Sequence, residues 1–189
     1  MPVERWGSGL DGGRGDGWLL RTIEYDLWAS GRVLAAAEPL LGGPAGSSAG
    51  ASEAGPAERD TLSAILSHLV ATREVWLGRI TGEPAPTPVF PGPRPIGETR
   101  ERLAEVVRAW RDALGASPEI GPEIRYTSSE SERWASTLGD IVEHTHLHGC
   151  YHRGQCAMLI RSLGGEPPAT DFIVFTRRRP ADGRARPGM

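Results

Sequence analysis

Four stretches of this chain repeat apolar residues every three or four positions, and Gly- and Pro-rich segments separate them. A helix turns once per 3.6 residues, so such spacing builds one apolar stripe per helix and leaves each stripe needing a partner. In the first stretch the stripe is Leu20, Ile23, Leu27, Leu34 and Leu41, which predicts a helix over about 16–41, stopped by Gly42 and Gly43. In the second it is Leu62, Ile65, Leu66, Leu69 and Trp76, with Asp60 or Thr61 as the expected cap and Gly82 as the stop. The third stripe, Leu103, Val106, Val107, Trp110 and Leu114, follows a candidate cap at Thr99. The fourth helix is expected to open at Thr137 and run to Leu163. Thr137-Leu-Gly-Asp140 has the form of a capping box, and Gly164-Gly165-Glu-Pro-Pro ends the pattern. Four such helices with almost no strand predict an all-α four-helix bundle.

The segments between the helices divide the chain. Residues 1–16 are poor in apolar side chains and are expected to be a mobile N-terminal segment. Residues 42–57, GGPAGSSAGASEAGPA, read as a flexible linker, and PAPTPVFPGPRP, residues 84–95, as an extended loop. Residues 115–136 look irregular, with at most short strands near Glu123–Tyr126. The bundle should therefore occupy 17–175, and the Arg-, Pro- and Gly-rich residues 176–189 read as a disordered tail.

All 21 basic residues are arginine, and the net charge is −3. No basic helix is offered to nucleic acid, so no nucleic-acid partner is expected. No apolar run nears the about 18 residues a membrane span needs, so no membrane association is expected either. Cys150 and Cys156, on one helix, would have Cα atoms about 9 Å apart, too far for a disulfide. Two free thiols and no apolar leader pattern make a cytoplasmic location the expectation.

Three of the five histidines fall in HLHGCYHRGQ, residues 146–155. Ile141, His148, His152 and Leu159 follow at helical intervals, with Leu138 and Thr145 on the same stripe, so His148 and His152 should point into the bundle as neighbours. His68 lies three residues past Ile65 and also belongs to the buried side of its helix. A single histidine on an apolar face is ordinarily a hydrogen-bonded core residue. Three converging from two helices would need three sets of partners, or one ion. Three imidazoles would leave open positions on that ion, the arrangement of a catalytic site. His144, one turn before His148, either supports the ligands from behind or only flanks them. His146 should face the opposite way, into solvent. Gln155, three residues past His152, could orient a ligand. Arg153 points about 100° away and should form a salt bridge, within the chain or across a dimer, and Gly154 would permit close helix approach. Cys156, one turn past His152, reads either as a thiolate ligand or as a small hydrophobe. Cys150 is off that face.

HGCYHRGQ, residues 148–155, resembles the hallmark of the DinB/YfiT-like family, His-x-x-x-His-Arg-Gly-Gln on the fourth helix. YDLWASGRVL (25–34), LSHLVATREVWLGRITGE (66–83) and LIRSLGGEPPATDFIVF (159–175) are similar to further segments of that family. The resemblance implies an up-down-down-up bundle, often a homodimer, and a divalent metal, nickel or zinc, held by three histidines. On this chain those are His68, His148 and His152. It further implies a metal-dependent thiol S-transferase or isomerase acting on a small-molecule substrate with a low-molecular-weight thiol. Two departures stand out: the long 42–57 linker, and TSSESER, residues 127–133, where the family has a Gly-containing turn.

Two other functions remain open at this point. Metal-activated hydrolysis would need a general base, and Asp140 and Glu143 do not share the direction of His148 and His152, while Glu24, Asp26 and Glu74 lie on other helices. A non-catalytic, metal-stabilised stress-response or binding protein would need no base at all.

Overall fold

A computed structural model describes residues 16–42, 55–85, 88–116 and 123–177. The expected segments 1–16, 42–57 and 176–189 lie almost wholly outside the described residues. Four long helices make up most of the rest: α1 (Asp16–Leu41), α2 (Pro56–Thr81), α3 (Ile96–Ala116) and α4 (Leu138–Ser162). Two strands, β1 (Glu123–Thr127) and β2 (Arg133–Thr137), join α3 to α4, and a single-turn helix, α5 (Phe172–Thr176), follows α4. Helices α1 and α2 each pack against both α3 and α4, so the apolar stripes meet in one core. Leu19, Ile23, Leu62, Leu69, Trp110, Ile141 and Ile160 are almost fully buried there.

The stripes read from the sequence are largely buried: Ile23, Leu27 and Leu34 on α1, Leu62, Leu66 and Leu69 on α2, and Leu103, Val106, Trp110 and Leu114 on α3. On α4 the buried residues are Leu138, Gly139, Ile141, Val142, Thr145, Gly149, Arg153, Cys156 and Ile160, and from Val142 on they follow at steps of three or four. His148 and His152 flank that stripe and are half-buried, at the edge of the core and not inside it. On α1, beside Leu27 and Leu34, the residues Leu19, Ile23, Val33 and Ala37 share a buried stripe with Asp26 and Ser30.

Helix ends follow local chemistry. Thr137 caps α4 in a reciprocal capping box: its side chain accepts from the Asp140 backbone N–H, and the Asp140 carboxylate accepts from the Thr137 N–H. Gly82 closes α2 at φ 80°, the left-handed conformation that glycine adopts without strain. Two expected starts differ. Helix α2 begins at Pro56, four residues ahead of Asp60, because a proline at the first helical position has its φ preset and lacks only an N–H that would be unpaired anyway. Helix α3 begins at Ile96, and Thr99 lies inside its first turn, its N–H bonded to the Pro95 carbonyl 3.1 Å away.

Short strands are expected near Glu123–Tyr126; β1 lies there, and its partner β2 lies farther along, within residues that look irregular in the sequence. The antiparallel register of this hairpin pairs Glu123 with Thr137 and Thr127 with Arg133, so β2 runs directly into the α4 cap. The turn is the TSSESER segment. The Ser128 hydroxyl accepts from the N–H groups of Glu130 and Glu132, and Ser131 takes a φ of 65°. Helix α5 docks aromatic side chains on α1: Phe172 and Phe175 lie 5.0 and 5.7 Å from the Tyr25 ring, whose hydroxyl donates to the Thr170 carbonyl. No described helix is long and apolar enough to cross a membrane.

Candidate metal centre

Helix α2 contributes His68 and helix α4 contributes His148 and His152, and the structure brings the three together. One ligating atom from each lies within 4.8 Å of the others. The Nε2 atoms of His68 and His148 are 3.3 Å apart. Ligands at about 2.0–2.1 Å from a tetrahedral zinc are separated by about 3.3–3.4 Å, so that edge already has the length an ion requires. The Nδ1–H of His68 donates to the Val89 carbonyl at 2.7 Å, and the Nδ1–H of His152 donates to Gln155 Oε1 at 2.7 Å. Each of these bonds fixes the tautomer that leaves Nε2 as a lone pair. The extended loop therefore serves the site: Val89 orients His68, and the Phe90 ring stacks on it at 4.6 Å and 1°.

At 3.3 Å either a neutral His148 donates its Nε2–H to the His68 lone pair or a cation lies between the two nitrogens. A second proton, which would make an imidazolium, is disfavoured. Burial lowers the His148 pKa to about 4, and the neighbouring His152 and His68 push the same way. His68 is lowered too, chiefly by burial. A divalent ion has no such difficulty, because neutral imidazole is the form it binds. The donor set therefore fits a metal.

The cluster opens on a cavity of about 400 Å³ whose walls include Thr72, Trp76, Arg79, Phe90, Ser129 and His144. Among the described residues no carboxylate lines it. His144 is 5.9 Å from His148, ring to ring, and 5.2 Å from Trp76, so it stands in the cavity wall with no contact to the other two histidines of the cluster. Burial and then Arg79 lower its pKa, which keeps it neutral near pH 7. His146 is not solvated as expected. It is half-buried on the far side of α4, edge-on to Tyr25 at 5.2 Å, because α5 and Tyr25 cover that face. Cys156 is no ligand: it is fully buried in the apolar core, where its thiol is pushed up to about 12 by burial. Cys150 is exposed.

Beneath the histidines lies a polar knot. Asp26 of α1 is fully buried and takes two guanidinium groups, Arg73 of α2 on Oδ2 and Arg153 of α4 on Oδ1, each at 2.5 Å. Ser30 accepts from both arginines, and the Trp110 indole of α3 donates to the Arg73 carbonyl. Arg153 thus bridges to α1 within the chain. Gly149 makes room for this: a Cβ there would overlap Asp26 Oδ1 and come within 2.7 Å of both guanidinium groups. Gly154, the glycine expected to admit a close helix, meets nothing within 4 Å. Of the other acids weighed as bases, Glu74 pairs with Arg102, Glu24 with Arg111 and Asp140 with the α4 cap, and Glu143 is exposed and outside the cavity lining.

The three-histidine group and the HRGQ segment on α4 accord with one further observation. A family model for the DinB family matches residues 55–183. The chain belongs to the DinB family. The matched span covers α2 through α5 and all three clustered histidines, so this DinB-family chain carries a group that can hold a metal ion. No curated protein matches the sequence.

Proposed function

We propose that this DinB-family protein is a metal-dependent thiol S-transferase or isomerase, with a divalent ion, nickel or zinc, held by His68, His148 and His152. The observation that carries the reading is the open side of the cluster: three histidines, two of them held with Nε2 free, face a cavity of about 400 Å³, and among the described residues no fourth protein ligand closes it. An ion bound there supplies a positive charge that favours the thiolate form of a low-molecular-weight thiol, the nucleophilic form. Val89 and Gln155 hold His68 and His152 in the ligating tautomer. Trp76 and Phe90 present apolar surface to a small-molecule substrate. His144, neutral and in the wall, is placed to accept or return a proton.

Hydrolysis is the weaker reading, because its general base would ordinarily be a carboxylate and, among the described residues, none lines the cavity. A purely structural metal is weaker still, since such sites close their coordination shell with protein atoms. The family resemblance supports an up-down-down-up order of the four helices. A homodimer is supported by an exposed apolar stripe on α4, Leu147, Tyr151 and Met158, which flanks the open side of Gly154. The two free cysteines support a reducing, cytoplasmic setting.

Elemental analysis of wild type and His148→Ala tests the metal, and a thiol titration of the cobalt-substituted protein tests the chemistry. Near-stoichiometric metal lost in the variant, with an absorption spectrum that shifts on adding thiol, is expected. Metal indifferent to thiols would remove the transferase reading, and metal-free wild type would remove the site.

A further inference from the structure

The cavity beside the histidines does not end at its own wall. A wider cleft of about 830 Å³ runs between the end of α2, the Pro-rich loop and the hairpin. Val75, Arg79, Val89, Phe90 and Ser129 line both spaces. A molecule whose reacting end lies at the histidines therefore leaves the site past Arg79.

Arg79 is set up unusually. It lies eleven residues after His68, three turns plus about 20°, hence on the same face of α2 and about 16 Å along the axis. Helical side chains lean toward the N-terminus, which brings its guanidinium back toward the cavity. The group is half-buried, 4.3 Å from the Trp76 ring centre and 4.7 Å from that of Tyr126. Among the described residues its hydrogen bond is a long one, 3.4 Å, to the Thr127 carbonyl. Among the described residues it meets no carboxylate. Arg73, Arg153 and Arg102, the other arginines that reach into the helix packing, each do. Arg125, which also lines the cleft, is exposed and paired with Glu123, and Glu83 is the cleft's acid. Two aromatic faces fix the plane of the Arg79 guanidinium and leave most of its N–H donors unused.

We propose that Arg79 is a specificity-determining residue that binds a carboxylate of the substrate or thiol cosubstrate. The ligand class is then a carboxylate-bearing molecule with an apolar middle section, which lies along Trp76 and Phe90 and puts its reacting end at the histidines. The planar fork of the guanidinium matches a carboxylate in two parallel hydrogen bonds, and Arg79 offers one half-buried positive charge to the space, the other guanidinium of the cleft, Arg125, being exposed and paired with Glu123. This inference rests on the histidine cluster being the reactive centre.

The test uses metal-free, nitrogen-15-labelled full-length protein, so that it does not depend on the metal. The Arg79 Nε–H resonance is assigned by its loss in Arg79→Lys. The probes are 3-phenylpropionate, 3-phenylpropanol and inorganic phosphate. The expected result is a saturable shift of the Arg79 resonance with the acid alone. Arg79→Gln should weaken the acid roughly ten- to a hundredfold and leave the alcohol unchanged, and Arg79→Lys should keep part of the preference. Equal binding of acid and alcohol, undiminished acid binding in Arg79→Gln, or phosphate binding tighter than the acid would each overturn the proposal. If wild type holds no metal, the functional reading fails while this titration still decides Arg79. If metal and thiol behave as expected and the acid shows no preference, Arg79 alone fails.

Discussion

Gly149 and Gly154 lie five residues apart on one helix, inside one motif, and have opposite physical roles. Gly149 is filled by its neighbours, since Asp26 Oδ1 and two guanidinium groups occupy the place of a side chain. Gly149→Ala must push those groups apart, and overpacking of this kind costs about 1–3 kcal/mol. For a chain of this size each kcal/mol moves Tm by about 2–4 °C. Gly154→Ala meets nothing among the described residues and gains up to about 1 kcal/mol of helix propensity. Thermal denaturation of the two variants should therefore move in opposite directions, and a similar loss in both would refute the packing account. The sequence makes both glycines visible but cannot rank them, because which one is filled depends on where α1 and α2 send Asp26 and Arg73. A signal did exist. Asp26 and Ser30 fall on the same three- and four-residue stripe as Leu19, Ile23, Val33 and Ala37, and Arg73 continues Leu62, Leu66 and Leu69. Charged residues in a buried register must find partners, and two opposite signs on two helices point at each other. Gln155 gives a second prediction at this scale. Its Oε1 holds the His152 Nδ1–H, so Gln155→Ala should weaken metal binding about 10–100-fold with the fold intact, measured by competition with a chromophoric chelator. Unchanged affinity would detach Gln155 from the site.

At the scale of the element, α4 sorts its side chains by direction. One face carries the polar knot and core, the next carries His148 and His152 toward the cavity, and the outer one carries Leu147, Tyr151 and Met158. Helical periodicity reads this order from the sequence, as it does the capping box at Thr137. What it cannot supply is the angular offset, so His148 and His152 read as core when they border it. The two cysteines make the sorting measurable. Cys150 is exposed and Cys156 is fully buried, so a thiol reagent at pH 8 should modify one sulfur promptly and the second only on unfolding. The buried thiol also links stability to alkaline pH. Burial raises the Cys156 pKa from 9.0 to about 12, so above about pH 9 the unfolded chain releases this proton while the folded chain keeps it. The unfolded state then binds fewer protons, and stability falls as pH rises from about 9 toward 12. Cys156→Ala should flatten that part of the curve in denaturant titrations. The same slope in wild type and variant would place the titration elsewhere. Strand β2 and helix α5 were not legible as elements: RWAST and FIVFT are five-residue segments, too short for periodicity to establish, and both are held by contacts from afar, β1 for one and Tyr25 for the other.

At the scale of the whole molecule, the site belongs to no single element. Helices α2 and α4 supply the ligating nitrogens, the Pro-rich loop supplies Val89 and Phe90, the hairpin supplies Ser129, and α1 holds the two ligand helices in register through Asp26. The open face of α4 adds a further level. Leu147, Tyr151 and Met158 are 58%, 66% and 66% exposed, at helical intervals on one face, with bare Gly154 among them. An apolar stripe of this kind on a helix ordinarily has a partner, and a stripe facing its own copy about a twofold axis covers both at once. The Tyr151 ring stands 5.1 Å from His152, so the covering copy would also border the cavity. Tyr151→Asp combined with Met158→Asp puts charge into such an interface and leaves the core untouched, since both side chains point outward. Light scattering should give a mass of two chains for wild type and one for the double variant, with helical content unchanged. A wild type that runs as a monomer at tens of micromolar would mean that the stripe is simply solvated. A double variant that stays dimeric would move the interface to another face.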